Sequence, residues 1–393
     1  MSADPLRRNI AYLAQGKIRV KVGSEASRTI DSVYGNAIRD KAVRAQQKNS
    51  WKSAGNDGSP FSSAMLWGKA ARQTDIPLVI TSICGSRQPG ALLYSLESGS
   101  LCALLEVTGN GADEQRLWND NNLQLRHVSV SRDTGDMVFS VVHQNGTANI
   151  GVKSHGQGGF KELTEGDSFD TAPRWVPGDG SKIVFQSAGI GRNARGQFLK
   201  LGPFSLQQLD GERGEMTTVM EDPKFDYLAP QILADGRMFY IRRPYLAHER
   251  LNPLTVLKDI VLFPFRLLYA IFQFLNFFSS AFTGHKLTSA SGPKNQDMNL
   301  KQMMIWGNLV RAQSDPGAQE EGADLVPKSW ELRCRSASGE TKTVAAGVLA
   351  YDTDAEGNVL YTNGNAIFLL KPDGEKESVL RERMIQQVFF LPE

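Results

Sequence analysis

One pattern recurs along this chain: a short alternating strand runs into an Asp/Gly turn and returns as a β-branched, aromatic strand. It appears in VSVSRDTGDMVFSVV (128–142), PRWVPGDGSKIVFQSA (173–188), PQILADGRMFYIRR (230–243) and LAYDTDAEGNVLYTN (349–363). Alternating polarity on both sides of a Gly-bearing turn is the signature of a β-hairpin. A second hairpin accompanies most copies: LLYSLESGSLCALLEV (92–107), NIGVKSHGQGGFKELTEG (149–166), SLQQLDGERGEMTTVMED (205–222), SWELRCRSASGETKTVAAG (329–347) and AIFLLKPDGEKESVL (366–380). Phe139 and Phe185 lie 46 residues apart, and Phe185 and Tyr240 lie 55 apart. That is the pitch of a four-stranded propeller blade.

The repeat predicts an all-β chain in which residues 1–393 form a single β-propeller domain. Five blades are expected at about 62–107, 124–166, 171–222, 228–347 and 348–383. A sixth is assembled from the termini, NIAYLAQGKIRVKV (9–22) pairing with IQQVFFLP (385–392), which would close the ring and leave no open strand edge. Six blades is the expected number, with seven the nearest competitor. The 37 glycines fit so many turns, and 41% apolar residues supply a core of ordinary size.

The residues PRWVPGDGSKIVFQS and their echo APQILADGRMFYIRRP resemble the repeat of TolB-type β-propellers, of the WD-repeat-like bacterial kind. The resemblance implies the fold and leaves activity open, because propellers host binding, scaffolding and catalysis alike. Two departures matter. MSADPLRRNI has no apolar h-region, so secretion is not expected. No G-x-S-x-G occurs, so the nucleophile elbow of a propeller-linked hydrolase is not expected either.

Two segments break the repeat. Residues 28–50, RTIDSVYGNAIRDKAVRAQQKNS, place Ile30, Val33, Ile38 and Ala42 near helical spacing with Arg39, Lys41, Arg44 and Lys48 between them, which predicts a basic helix. Residues 1–52 hold eleven lysines and arginines against four acids, so a chain with formal charge +2 carries a cationic amino-terminal arm. The second break lies within 245–300, inside the fourth blade. Its core, 252–284, is apolar over most of a helical wheel, with Phe263, Phe265, Leu268, Phe272, Phe274, Phe277 and Phe278 on the wide face. Thr255, Asp259, Arg266, Tyr269, Gln273 and Ser280 form a narrow polar stripe. A transmembrane crossing would put residues 301–393 across the bilayer from the blades they complete. An in-plane amphipathic helix keeps both flanks on one side. The alternative is a helix packed on its own propeller or on a partner helix, a second copy included. The cationic arm favours an anionic membrane surface as partner, each Lys or Arg adding roughly 1 kcal/mol near such a leaflet.

Chemistry-bearing clusters are sparse. Asp352-x-Asp354-x-Glu356-Gly357 opens like a calcium loop, but its twelfth position is Asn363, where a bidentate Glu is needed; a hairpin turn is expected instead. Gly189–Gly196 is neither G-x-G-x-x-G nor a P-loop and reads as a hairpin insertion whose Arg192 and Arg195 could meet an anionic partner. The blade connections suggest a ligand funnel, for which Arg126, His127, Asp170, Arg174 and Asp226 are the candidates; for the two aspartates the competing role is bonding turn amides. Cys84, Cys102 and Cys334 lack disulfide or zinc spacing. No metal, cofactor, catalytic residue or nucleic-acid partner is expected.

These features point to a non-enzymatic binding scaffold, cytoplasmic and peripheral at the inner face of the membrane, presenting a surface to a protein partner. Two alternatives stand beside it: a hydrolase or lyase with a channel-mouth site, and a soluble oligomer assembled through the 252–284 helix.

Overall fold

The computed structural model describes residues 9–54, 78–108, 111, 113–245, 302–305, 308–311 and 325–391. The Phe-rich segment 252–284 lies outside the described residues. Contacts divide the chain into two compact units, one of Met1–Ala37, Pro77–Tyr245 and Met304–Glu393, the other of Ile38–Ile76 and Leu246–Met303. The first unit carries nearly all of the described structure and is mostly β.

Its strands fall into small antiparallel sheets. The chain begins with β1 (Ile10–Ala14), β2 (Lys17–Lys21) and β3 (Arg28–Ile30), then helix α1 (Val33–Ala54). Next come β4 (Val79–Gly85), β5 (Ala91–Ser98), β6 (Leu101–Thr108) and β7 (Glu114–Asp120), which form one four-stranded sheet in that order. A nine-stranded sheet follows. It holds β8 (Gln124–Val130), β9 (Met137–Val142), β10 (Ala148–Lys153) and β11 (Lys161–Glu162), then β12 (Ser168–Trp175), β13 (Lys182–Arg192), β14 (Phe198–Leu201), β15 (Ser205–Asp210) and β16 (Glu215–Met220). Its two halves meet through a single parallel pairing, Ala148 opposite Phe169. Strands β17 (Phe225–Ile232) and β18 (Met238–Pro244) are separated by sequence from their sheet partners. Between them lie the hairpin β19 (Gln302–Ile305) and β20 (Asn308–Arg311), and the partners β21 (Glu331–Arg335) and β22 (Thr341–Ala346) complete a four-stranded sheet. The last elements are β23 (Ala350–Thr353), β24 (Val359–Thr362), β25 (Ala366–Leu370), β26 (Lys376–Arg381) and β27 (Ile385–Phe390).

The chain ends share a sheet, in the order β27-β1-β2-β3, with Ile10 opposite Phe390 and Tyr12 opposite Val388. The first strand of this sheet is therefore the last of the chain. Residues 28–30, expected to open the basic helix, instead add its fourth strand. Helix α1 starts only at Val33, because Ser32 Oγ accepts the Gly35 amide at 2.9 Å as an N-cap. Glu114, at the start of β7, accepts the amides of Val33 (2.9 Å) and Tyr34 (2.7 Å). A carboxylate there satisfies two orphan donors and complements the helix dipole. The strand that carries it lies beyond the expected 62–107 boundary.

The period-2 pattern buries one face of each strand, and the buried faces of neighbouring sheets pack together. Leu93, Leu104, Leu125 and Phe139 form one cluster; Ile150, Ile183, Phe185 and Leu209 another; Leu228, Ile241, Tyr351 and Tyr361 a third. Ile10, Tyr12, Ile367, Ile385 and Val388 join the terminal sheet to its predecessor. The second strand of each four-stranded sheet, and of each half of the nine-stranded one, carries a buried aromatic: Tyr12, Tyr94, Phe139, Phe185, Tyr240 and Tyr361. Three of these marked the repeat in the sequence.

Candidate functional site

The first strands β4, β8, β12, β17, β23 and β27 converge on a narrow cavity of about 60 Å³, lined among others by Ile83, His127, Arg174, Ala229, Tyr351 and Gln387. Where these strands end, the space widens into a cavity of about 450 Å³. Arg174 and Gln231 belong to both linings, so throat and mouth are continuous.

The throat is built on irregular strands. Pairing slips between Arg126 and Ser129 in β8, between Thr171 and Arg174 in β12, and between Leu228 and Gln231 in β17. Within these bulges His127, Ala172 and Ala229 adopt left-handed backbone, with φ of 54°, 53° and 50°. A bulge frees backbone groups from the ladder, and those groups need other partners. Neighbouring strands supply them. Gln186 Oε1 accepts the Ala229 amide at 2.7 Å, and Tyr351 Oη donates to the Ala229 carbonyl at 2.6 Å. The Val128 amide donates to Ser82 Oγ at 2.9 Å. On the far side of the cavity the Ile83 amide donates to Gln387 Oε1 at 2.9 Å, while Gln387 Nε2 donates to the Thr81 carbonyl at 3.2 Å. Side chains thus lace the first strands of adjacent sheets.

The mouth is mixed in character. Trp175, Phe389 and Phe390 give it apolar wall, and Arg174, Asp352 and Gln231 give it a polar centre. Asp352 is held on both oxygens: Oδ1 accepts from Gln231 Nε2 at 3.2 Å and Oδ2 from the Phe390 amide at 2.9 Å. Arg174 Nη2 lies 4.0 Å from Asp352 Oδ1. That one pairing engages a single edge of a five-donor fork, so the guanidinium retains donors for a polar or anionic group entering the mouth. Cys84 also lines this space, but burial pushes its thiol up to about 12, leaving it protonated and unreactive at neutral pH.

The other candidates from the sequence occupy different surroundings. His127 lies within β8, in the throat wall. Burial first, then the charges of Arg126 and Arg174, push its imidazole down to about 3, so it is neutral. Arg126 stands 3.7 Å from Glu97, outside both cavities. Asp170 is buried and accepts Ser187 Oγ at 2.7 Å; burial raises its pKa. Asp226 is buried as well, accepting the Phe204 amide at 3.0 Å and pairing with Arg243 at 2.8 Å. Of the five, only His127 and Arg174 meet in one cavity. Asp352 and Gln231 were missed as site residues, because Asp352 reads in sequence as part of a hairpin turn. That turn is closed by Asp354, whose carboxylate accepts the Asn358 amide and side-chain amide at 2.8 and 2.7 Å.

Among solved structures, TolB from Acinetobacter baumannii matches over 99% of this chain and 68% of its own, at 11% identity and a TM-score of 0.53. The chain has a TolB-like β-propeller fold. A nidogen/laminin complex structure is similar over 97% of both chains at 6% identity and a TM-score of 0.49. A putative TolB from Agrobacterium tumefaciens is similar over 79% of this chain and 83% of its own, at 12% identity and 0.42. No protein-family model matches the sequence, and no curated protein matches it. At these identities the likeness concerns the propeller fold alone.

Proposed function

We propose that this protein is a non-enzymatic scaffold, a six-bladed propeller that offers its channel mouth to a protein partner and attaches to a membrane through the 252–284 helix. The blade number rests on the six buried second-strand aromatics, and closure on β27 lying beside β1. The single observation that carries the functional reading is the polarity of the first unit. The mouth lies where the first strands end. The chain departs for residues 246–324 where β17 begins, since the Tyr245 amide donates to the Lys224 carbonyl at 2.9 Å. The described chain resumes at the same end, where the Leu325 amide donates to the Asn363 carbonyl at 3.0 Å. Both described flanks of the segment thus lie at the end of the first unit away from the mouth, which leaves the mouth open to a soluble partner.

The chemistry in and around the channel suits recognition. Asp170 and Asp226 are committed to internal bonds, His127 is neutral, and Arg174 stands beside apolar wall, an arrangement that favours binding over proton transfer. Membrane fractionation of wild type beside a 252–284 deletion tests the reading. Wild type is expected with the membranes and the deletion variant in the soluble fraction. Wild type that stays soluble, or a deletion variant that stays on the membranes, overturns the helix as anchor.

A further inference from the structure

Strand β13 is longer than its sheet requires. Its pairing with β12 ends at Gly189, opposite Ser168, yet it continues to Arg192 and pairs with β14 as a two-stranded ribbon, Gly191 opposite Lys200. The ribbon projects past the end of the unit at which β12 begins. Tyr245, the last residue before the chain departs, donates from Oη to the Leu201 carbonyl at the ribbon's base, at 2.7 Å. The arm therefore rises from the end where the insertion leaves.

Isolated two-stranded ribbons are marginal in water, but this one is braced. Arg192 Nε and Nη2 reach Asp167 at 2.6 to 2.8 Å, and Nη1 donates to the Gly196 carbonyl at 3.2 Å. Asn193 Oδ1 accepts the amides of Arg195 and Gln197 at 2.9 and 3.0 Å, closing the tip. On this ordered support Phe198 is 51% and Leu199 57% exposed. Leu199 is the extra residue of a bulge, since Arg192 pairs with Phe198 and Gly191 with Lys200, and both apolar side chains stay in solvent. Val79, 46% exposed, starts β4 at the same end. The arm's charges are all positive: residues 189–202 contain Arg192, Arg195 and Lys200 and no acid.

We propose that the arm 190–201 is a second membrane contact, with Phe198 and Leu199 entering the headgroup boundary while Arg195 and Lys200 meet anionic lipid. A ribbon that runs past its sheet with exposed apolar residues and two cations outside any ion pair matches a flat anionic interface, where apolar burial and electrostatic attraction add. The assignment rests on the membrane-facing reading of this end, and it locates part of the attachment outside the insertion.

The test uses the full chain with phosphatidylserine–phosphatidylcholine vesicles and with pure phosphatidylcholine vesicles. The native cysteines Cys84, Cys102 and Cys334 are all buried, so Leu199→Cys gives one accessible thiol for an environment-sensitive fluorophore. A blue shift on adding anionic vesicles is expected. Phe198→Ser with Leu199→Ser should weaken vesicle binding at least about tenfold. Arg195→Ser with Lys200→Ser should weaken it roughly 25-fold on anionic vesicles and leave the weaker binding to neutral ones unchanged. All four side chains are exposed, so unfolding midpoints should match wild type. Wild type that binds while the label stays unshifted and both arm variants bind equally well overturns the arm but spares the membrane reading. Wild type that binds no vesicle overturns both. A serine variant that turns a dimer into a monomer with vesicle binding unaltered makes the arm a self-association face and overturns the lipid assignment.

Discussion

Arg243 and Asp226 form an ion pair almost wholly out of water, Nε to Oδ2 at 2.8 Å with side chains 7% and 5% exposed. The Trp330 ring lies over the guanidinium at 4.6 Å, and the second Asp226 oxygen holds the Phe204 amide. Burial works against the Arg243 charge, lowering its pKa, and Asp226 opposes that shift. The pair ties β17 to β18 two residues before the chain departs for the insertion, and Trp330 adds the returning segment.

Removing one partner strands the other charge in a dry site. Asp226→Ala should therefore cost about 3–5 kcal/mol, whereas the double variant Asp226→Leu with Arg243→Met should cost much less. Urea unfolding of the three proteins checks this. Equal losses in the single and double variants would mean that the pair's charges are not what holds the site.

His127 makes stability depend on pH in a defined window. Its imidazole has a pKa of about 3 in the folded chain against 6.5 unfolded. The unfolded state therefore binds the extra proton as pH falls from 6.5 toward 3, and stability is lost over that interval. Between pH 6.5 and 5 the loss from this residue should approach about 2 kcal/mol. His127→Asn keeps a residue that tolerates left-handed backbone and removes the proton site. Stability measured against pH should slope less steeply in the variant; parallel curves would assign the acid sensitivity elsewhere.

Ala229 sits at φ 50° with amide and carbonyl both bonded to neighbouring strands. Left-handed backbone costs a non-glycine residue about 1–2 kcal/mol. Ala229→Gly relieves that strain while loosening the unfolded chain by about 0.5–1 kcal/mol, so it should be neutral or mildly stabilising. Ala229→Val should destabilise by more than about 1 kcal/mol, since a β-branched residue tolerates this φ poorly. Thermal midpoints decide, and a stable valine variant would contradict the bulge geometry.

Gln387 bridges the last strand of the chain to β4 through Thr81 and Ile83. Gln387→Leu leaves two backbone groups without those partners and should cost about 1–3 kcal/mol for each one kept from water. Deleting 385–393 also removes Ile385, Val388 and Phe390 from the terminal core, and should abolish cooperative unfolding. A truncated chain with the wild-type midpoint would show that β27 is dispensable.

Strand existence and turn placement were legible because their causes are local. Period-2 burial and Asp/Gly turns act within a single hairpin, and the TolB-like repeat followed from their recurrence at the Phe139, Phe185 and Tyr240 spacing. Strand β7 escaped notice because EQRLWND (114–120) does not alternate; it is an outer strand, and its residues are mostly partly buried. The site was less legible. Phe169-Asp170 and Phe225-Asp226 look alike in sequence, yet Asp170 meets a serine and Asp226 an arginine. The difference lies in Ser187 and Arg243, on partner strands 17 residues further along.

The sequence alone determined that this chain would form β-hairpins of propeller pitch and carry a basic helix. Those are properties of neighbours along the backbone, where side-chain period dictates which face is buried. Only the tertiary structure decided that Arg174 and Asp352, 178 positions apart, share one cavity. It also decided that Tyr245 meets the arm 190–201 at the end where β12 and β17 begin. Both follow from strand direction and the packing of one sheet on the next, and these depend on contacts between residues far apart in the chain.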